Sequence, residues 1–188
     1  MEIADIFRNI KYDFIFLIHI FPFWAVWWCV CAKDCDCMAL FLSTFTNKVD
    51  QKGRVSVPAS FRTALGDQLG QGIVLFRAHN HNCLEGFDWA KMDEIGDRMD
   101  HYDLFSDAQD DLATTIFGQS VQLFLDGDGR VIIPSDLLSA VQITDSATFV
   151  GLGRKFQIWN PDHFESRKDQ ARSAVQDQKL TIPKREGA

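Results

Sequence analysis

The chain has 188 residues, 46% of them hydrophobic, with 19 Lys and Arg against 26 Asp and Glu for a formal net charge of −7. That hydrophobic share excludes a disordered chain, and the length holds one compact body or two small ones. The acid excess excludes an overall basic footprint, so any affinity for nucleic acid has to come from local clusters of cations.

Residues 1–37 differ from the rest. The run 14–32 is apolar and uncharged if His19 is neutral, and it holds three of the five tryptophans (Trp24, Trp27, Trp28). It is long enough to cross a bilayer. Arg8 and Lys11 on one side and Lys33, Asp34 and Asp36 on the other set its orientation only weakly. The preferred reading is a translation start at Met38, with the first 37 residues as upstream sequence; a genuine membrane anchor comes second, and membrane contact is expected only in that case. A signal peptide comes last, because no small-residue cleavage pattern follows. Four of the five cysteines fall here as Cys29, Cys31, Cys35 and Cys37, a spacing unlike the Cys-x-x-Cys pair of zinc sites. The lone Cys83 of the body fits a reducing, cytoplasmic compartment.

The body is duplicated. Asp50-Gln51-Lys52-Gly53-Arg54-Val55-Ser56-Val57-Pro58 and Asp126-Gly127-Asp128-Gly129-Arg130-Val131-Ile132-Ile133-Pro134 are copies of one pattern, Asp-x-x-Gly-Arg-Val-x-(Val/Ile)-Pro, 76 residues apart. Extended segments precede both copies, Phe45–Val49 and Ser120–Leu125. A short helix follows each proline (Ala59–Leu65, Ser135–Val141), then a hairpin of two apolar runs. These are Ile73–Phe76 with Leu84–Phe87 and Ala147–Val150 with Phe156–Trp159, turning at Ala78–Asn82 and Gly151–Arg154. Longer helices come next: Asp88 caps one whose Trp89, Met92, Ile95 and Met99 share a face, and Asn160-Pro161 opens the other. Units this small pack together about a pseudo-twofold axis, because neither buries a generous core alone. The tail from Gln176 carries few large apolar residues and is expected to be mobile.

Within each loop the glycine permits a positive φ, and the Asp accepts hydrogen bonds from loop N–H groups or from the Arg. A guanidinium held this way loses less entropy on meeting a base edge or a phosphate. On a β-ribbon it suits the major groove, where Arg donates two bonds to guanine O6 and N7, while Lys48 and Lys52 neutralise phosphates. One such loop alone reads as a solvated surface ion pair. Turn geometry, however, does not require the same Asp and Arg at both ends of it, twice. His79, His81 and Cys83 read as turn residues and not metal ligands. Asp126–Gly129 resembles the start of a calcium loop, but its twelfth position is Leu137 and not Glu. No nucleophile elbow, Walker loop or paired metal motif is present, so neither an enzyme nor a cofactor is expected.

From Met38 onwards the chain resembles the MraZ family of bacterial transcriptional regulators, built from two tandem AbrB-like (SpoVT-AbrB, swapped-hairpin) units. The match rests on Phe45–Arg62, on Asp126–Pro134, and on Gly151 with Phe156–Trp159. The resemblance implies a mainly β, α+β fold of two such units related by a pseudo-twofold axis, with flanking helices. The first unit is expected over 43–90, a helical linker over 91–118, the second unit over 119–165, and the end of the C-terminal helix with the mobile tail over 166–188. DNA contact is implied for Asp50, Arg54, Asp126 and Arg130, and the notional reading head adds Lys48, Lys52, Gly53 and Gly129. The partners implied are double-stranded DNA, as short G-rich direct repeats upstream of the protein's own division and cell-wall operon, and further copies of the chain in a ring-shaped homo-oligomer. The place implied is the cytoplasm, at the nucleoid. Gly127 and Asp128 stand where the first loop has Gln51 and Lys52, so the first unit is expected to dominate phosphate contact. The acidic residues between Asp93 and Asp111 are expected to face away from DNA. Competing readings are a membrane-anchored oligomeric scaffold, which would not need Arg54 and Arg130, and an AbrB-like antitoxin or transition-state regulator, against which the tandem arrangement speaks.

Overall fold

A computed structural model describes residues 40–103 and 106–183. The expectations for residues 1–37, including the apolar run 14–32 and its cysteines, lie outside the described residues, as does the end of the tail beyond 183. Both repeats take the same course. The first runs β1 (Thr44–Lys48), β2 (Arg54–Ser56), α1 (Ala59–Leu65), a 3-10 turn (Gly66–Gln71), β3 (Ile73–Arg77), β4 (Leu84–Phe87) and α2 (Trp89–Met99). After α3 (Asp107–Ile116) the second runs β5 (Val121–Leu123), β6 (Arg130–Ile132), α4 (Ser135–Ala140), β7 (Ser146–Gly151), β8 (Phe156–Trp159) and α5 (Pro161–Asp177).

The repeats exchange strands. A six-stranded antiparallel sheet has the order β1-β7-β8-β4-β3-β5, so the first strand of each repeat lies on the outer edge of the other repeat's hairpin. The central neighbours β4 and β8 pair with Glu85 opposite Gln157. A separate two-stranded ribbon joins β2 to β6 with Val55 opposite Val131. A pseudo-twofold axis through those two pairs relates every strand to its counterpart, as a swapped hairpin requires.

Alternation along the strands builds the core. Ile73, Leu75, Leu84, Phe149, Phe156 and Ile158 on one face of the sheet meet the undersides of the ribbon (Val55, Val57, Val131, Ile133) and of the short helices (Phe61, Leu65, Leu138). Phe41, ahead of β1, joins them: its backbone bridges Gly153, and its ring packs edge-on against Phe61 at 5.3 Å and Phe156 at 5.0 Å. Burying a phenylalanine to this extent stabilises the fold by about 1.5–3 kcal/mol. The opposite face of the sheet is covered twice, by α2 through Met92 on Val74, Phe76 and Phe87, and by α5 through Phe164 on Val150 and Trp159.

The caps are those expected. Asp88 accepts from the N–H of Lys91 at 2.7 Å, and Asn160 from that of Asp162 at 2.9 Å. Three details differ from the sequence reading. Trp89, expected on the same face as Met92 and Met99, is exposed while those two are buried. The extended segment before Asp126 is in strand only to Leu123, and Phe124 is exposed. Gln176 and Asp177 belong to α5 rather than to the tail. No helix among the described residues is long and apolar enough to cross a membrane.

Candidate nucleic-acid interface

Each loop is organised by its aspartate. Asp50 Oδ1 accepts from the backbone N–H groups of Lys52 and Arg54 at 2.8 and 2.9 Å, and its Oδ2 accepts from Arg54 Nε at 2.6 Å. The backbone closes behind it, with Asp50 N–H donating to Arg54 O at 3.0 Å and Gly53 N–H to Asp50 O at 2.9 Å. In the second loop Asp126 Oδ1 accepts from Asp128 and Arg130, both at 2.9 Å, and Oδ2 accepts from Arg130 Nε at 3.0 Å. Gly53 and Gly129 carry φ of +75° and +73°, which a side chain resists. Sequence spacing therefore reports a real local structure, made twice.

The loops are also tied to one another across the repeats. Ile133 N–H donates to Gly53 O and Val57 N–H to Gly129 O, each at 3.0 Å. Since Val55 and Val131 point into the core, Arg54, Ser56, Arg130 and Ile132 share the ribbon's outer face. Lys48 and Lys52 are exposed beside it. The backbone N–H of Arg54, and then its side chain, hold the Asp50 carboxyl below its usual range. Asp126 is lowered in the same way, first by the Arg130 N–H. Both carboxylates therefore stay charged throughout the physiological range, and the turns keep their shape there.

The loops differ at their tips. Arg54 is held only through Nε, and its two terminal nitrogens have no protein acceptor among the described residues. Arg130 additionally gives a terminal nitrogen to Asp128. The hydrogen bond to Asp126, and the charges of Asp126, Asp128 and then Asp50, raise its pKa. Arg54 thus offers a whole guanidinium edge and Arg130 a part of one.

Sequence reasoning missed the buttresses. The Arg62 side chain lies against Gly129 of the other repeat, so close that a Cβ built on Gly129 would meet its Nη1 at 2.6 Å; the corresponding neighbour of Gly53 is Leu138. Residues 62 and 138 are themselves 76 apart, so aligning the repeats beyond the motif would have picked out the pair. Asn47 Nδ2 donates to Ser56 O at 2.7 Å and latches β1 to the ribbon. His79, His81 and Cys83 do fall in the hairpin turn: the His81 ring lies 5.8 Å from that of Trp159, and burial pushes the Cys83 thiol up to about 12. Among the described residues no three His, Cys, Asp or Glu converge as a metal site would need.

Two like units that trade strands into one sheet, and present twin Asp–Arg loops on one ribbon, define an α+β protein of the tandem swapped-hairpin class. The family model for "MraZ protein, putative antitoxin-like" matches residues 40–114 and again 116–182. The chain belongs to the MraZ family. It is similar to a protein named transcriptional regulator MraZ from Rickettsia akari (strain Hartford), 39% identical over 145 residues, 77% of this chain and 97% of that one. Proteins of the same name from Gluconobacter oxydans (strain 621H) and Gluconacetobacter diazotrophicus are 42% identical over 139 residues and 40% over 149. The first covers 72% of this chain and 85% of its own length, the second 78% and 93%.

Proposed function

We propose that this protein is a transcriptional regulator that binds double-stranded DNA with the outer face of its β2–β6 ribbon, and that it is not an enzyme. The observation that carries the reading is the pair of arginines, each fixed through Nε by its own Asp and both on one ribbon face. A two-stranded ribbon fits the B-DNA major groove, about 12 Å wide, where a guanidinium reads guanine O6 and N7. Lys48 and Lys52 neutralise flanking phosphates. Relatives named transcriptional regulators support the same conclusion.

The net charge of −7 is compatible with this because the charge is segregated. Asp93, Glu94 and Asp97 lie on α2, which packs on the face of the sheet opposite the ribbon. One protomer presents few cations, so avidity from a ring-shaped homo-oligomer on short direct repeats is part of the proposal. The target is the promoter of the protein's own operon, the division and cell-wall cluster, and the place of action is the nucleoid. Units over 43–90 and 119–165, with a helical linker at 91–118 and the end of the C-terminal helix followed by a tail over 166–188, complete the reading.

An electrophoretic shift on DNA upstream of the reading frame tests it, with a scrambled duplex and the Arg54→Ala/Arg130→Ala variant alongside. Specific retardation is expected for the wild type and loss of at least tenfold in affinity for the variant, as two guanine contacts of roughly 1–3 kcal/mol each imply. A folded wild type that retards neither duplex at low salt overturns the proposal.

A further inference from the structure

Ile132 stands on the otherwise polar outer face of the ribbon, among Arg54, Ser56 and Arg130, and is 58% exposed. It is directly opposite Arg54 in the ribbon register, while Ser56, its counterpart in the first repeat, is opposite Arg130. The neighbours of Ile132 along the chain, Val131 and Ile133, are buried. Its own side chain adds little to the core and is left where an approaching molecule would cover it. The four outward positions therefore pair Arg54 with an apolar side chain on one half and Arg130 with a hydroxyl on the other. The repeat symmetry of the backbone is broken in its chemistry.

We infer that Ile132 reads the C5 methyl group of a pyrimidine, thymine in ordinary DNA, at the base pair next to the guanine that Arg54 contacts. This rests on the proposed DNA-binding reading. Directly opposed side chains in an antiparallel pair have Cβ atoms about 4.5–5.5 Å apart. Successive bases are about 3.4 Å apart along a strand, so a guanidinium seated on one base pair places its cross-strand neighbour over the next. The thymine methyl is the apolar feature of the major-groove edge, and an aliphatic side chain is its complement. Ser56, equivalent in position and lacking that apolar surface, makes the other half indifferent to the methyl group. Specificity is thus asymmetric within one protomer, which suits direct repeats, since these carry no twofold axis of their own.

The test uses the intact chain and the duplex it retards. Each thymine is replaced in turn by uracil, which deletes only the methyl, and each cytosine by 5-methylcytosine, which only adds it, so every base pair is covered. The dissociation constants are read by fluorescence anisotropy at fixed salt. One position per bound repeat is expected to favour the methylated pyrimidine about fourfold, the effect of burying one methyl group. Ile132→Ser, which copies the first repeat at an exposed site, is expected to bind with that preference erased, and Ser56→Ile to gain a second methyl-sensitive position. A flat scan with a wild type that binds specifically overturns the inference and leaves the DNA-binding reading standing, as does a preference that survives Ile132→Ser. A wild type that binds no DNA specifically removes both.

Discussion

Asp128 occupies the place in its loop that Lys52 holds in the other, and it draws a terminal nitrogen of Arg130 back onto the protein. The pair is exposed, so its contribution to stability is small, but its consequence for binding is larger. On the proposed DNA-binding reading, contact with a base or phosphate requires Arg130 to leave Asp128, and the carboxylate then repels the DNA backbone. Asp128→Ala is accordingly expected to tighten binding roughly three- to tenfold at 50 mM salt, with the gain shrinking as ions screen the charge. Anisotropy titrations at two salt concentrations read this directly, and an unchanged affinity would mean that the second loop does not reach the duplex. At this scale the sequence is most readable where the chemistry is local. Asp50, Gly53 and Arg54 satisfy one another within five residues, so their spacing already states their geometry. Ile132, Arg62 and Leu138 take their roles from the other repeat, and no local pattern marks them.

The two loop glycines share a φ but not a neighbourhood, which separates backbone strain from packing at the level of the turn. A methyl on Gly53 would lie 2.5 Å from Ile133 O, a backbone carbonyl just past β6 whose residue is tied to Gly53 by its N–H, whereas on Gly129 it would meet the movable end of Arg62. Both substitutions pay for a positive φ, about 1 kcal/mol, and only the first must also push a strand aside. Gly53→Ala is therefore expected to cost roughly 2–3 kcal/mol in urea unfolding and Gly129→Ala about 1 kcal/mol; equal costs would show that the ribbon yields as easily as a side chain. The elements themselves were largely legible. The unbroken apolar run Ile73–Phe76 and a capping Asp88 are set by residues a few positions apart, and both appear as expected, as a strand and a helix cap. Which strand lies beside which was less so. β1 pairs with β7 and β5 with β3, and nothing within Thr44–Lys48 distinguishes its own hairpin from the other repeat's. Phe41 entered the core unannounced for the same reason, because its partners Phe61 and Phe156 lie far along the chain.

For the whole molecule, the question is how one chain pairs its two unlike repeats when each edge would also accept a like repeat from another copy. The answer lies on the pseudo-twofold axis. Glu85 Oε1 accepts from Lys155 Nζ at 2.9 Å and from Gln157 Nε2 at 3.1 Å, and Gln157 Oε1 in turn accepts from Trp159 Nε1 at 3.0 Å. A first repeat paired with another first repeat would set Glu85 against Glu85 at the same register, without Lys155, whose counterpart there is Cys83. Two carboxylates so placed cannot both ionise without cost. The heterotypic pair thus favours closure within the chain, and Gln157→Glu sets two carboxyls face to face inside the intact protein, with Lys155 still bonded to Glu85 and offsetting part of the repulsion. Two facing carboxyls raise the folded-state pKa of the pair above the unfolded value near 4.3. A raised folded pKa means that the penalty is absent below the unfolded pKa and grows as pH climbs through the folded one. Relative to wild type, Gln157→Glu is expected to lose about 1–3 kcal/mol at pH 7, and most of that loss should disappear by pH 4. Urea unfolding of both proteins across that range measures the difference. A penalty that stays constant with pH would assign it to packing around Trp159, and would leave the choice of partner repeat to the tether between them.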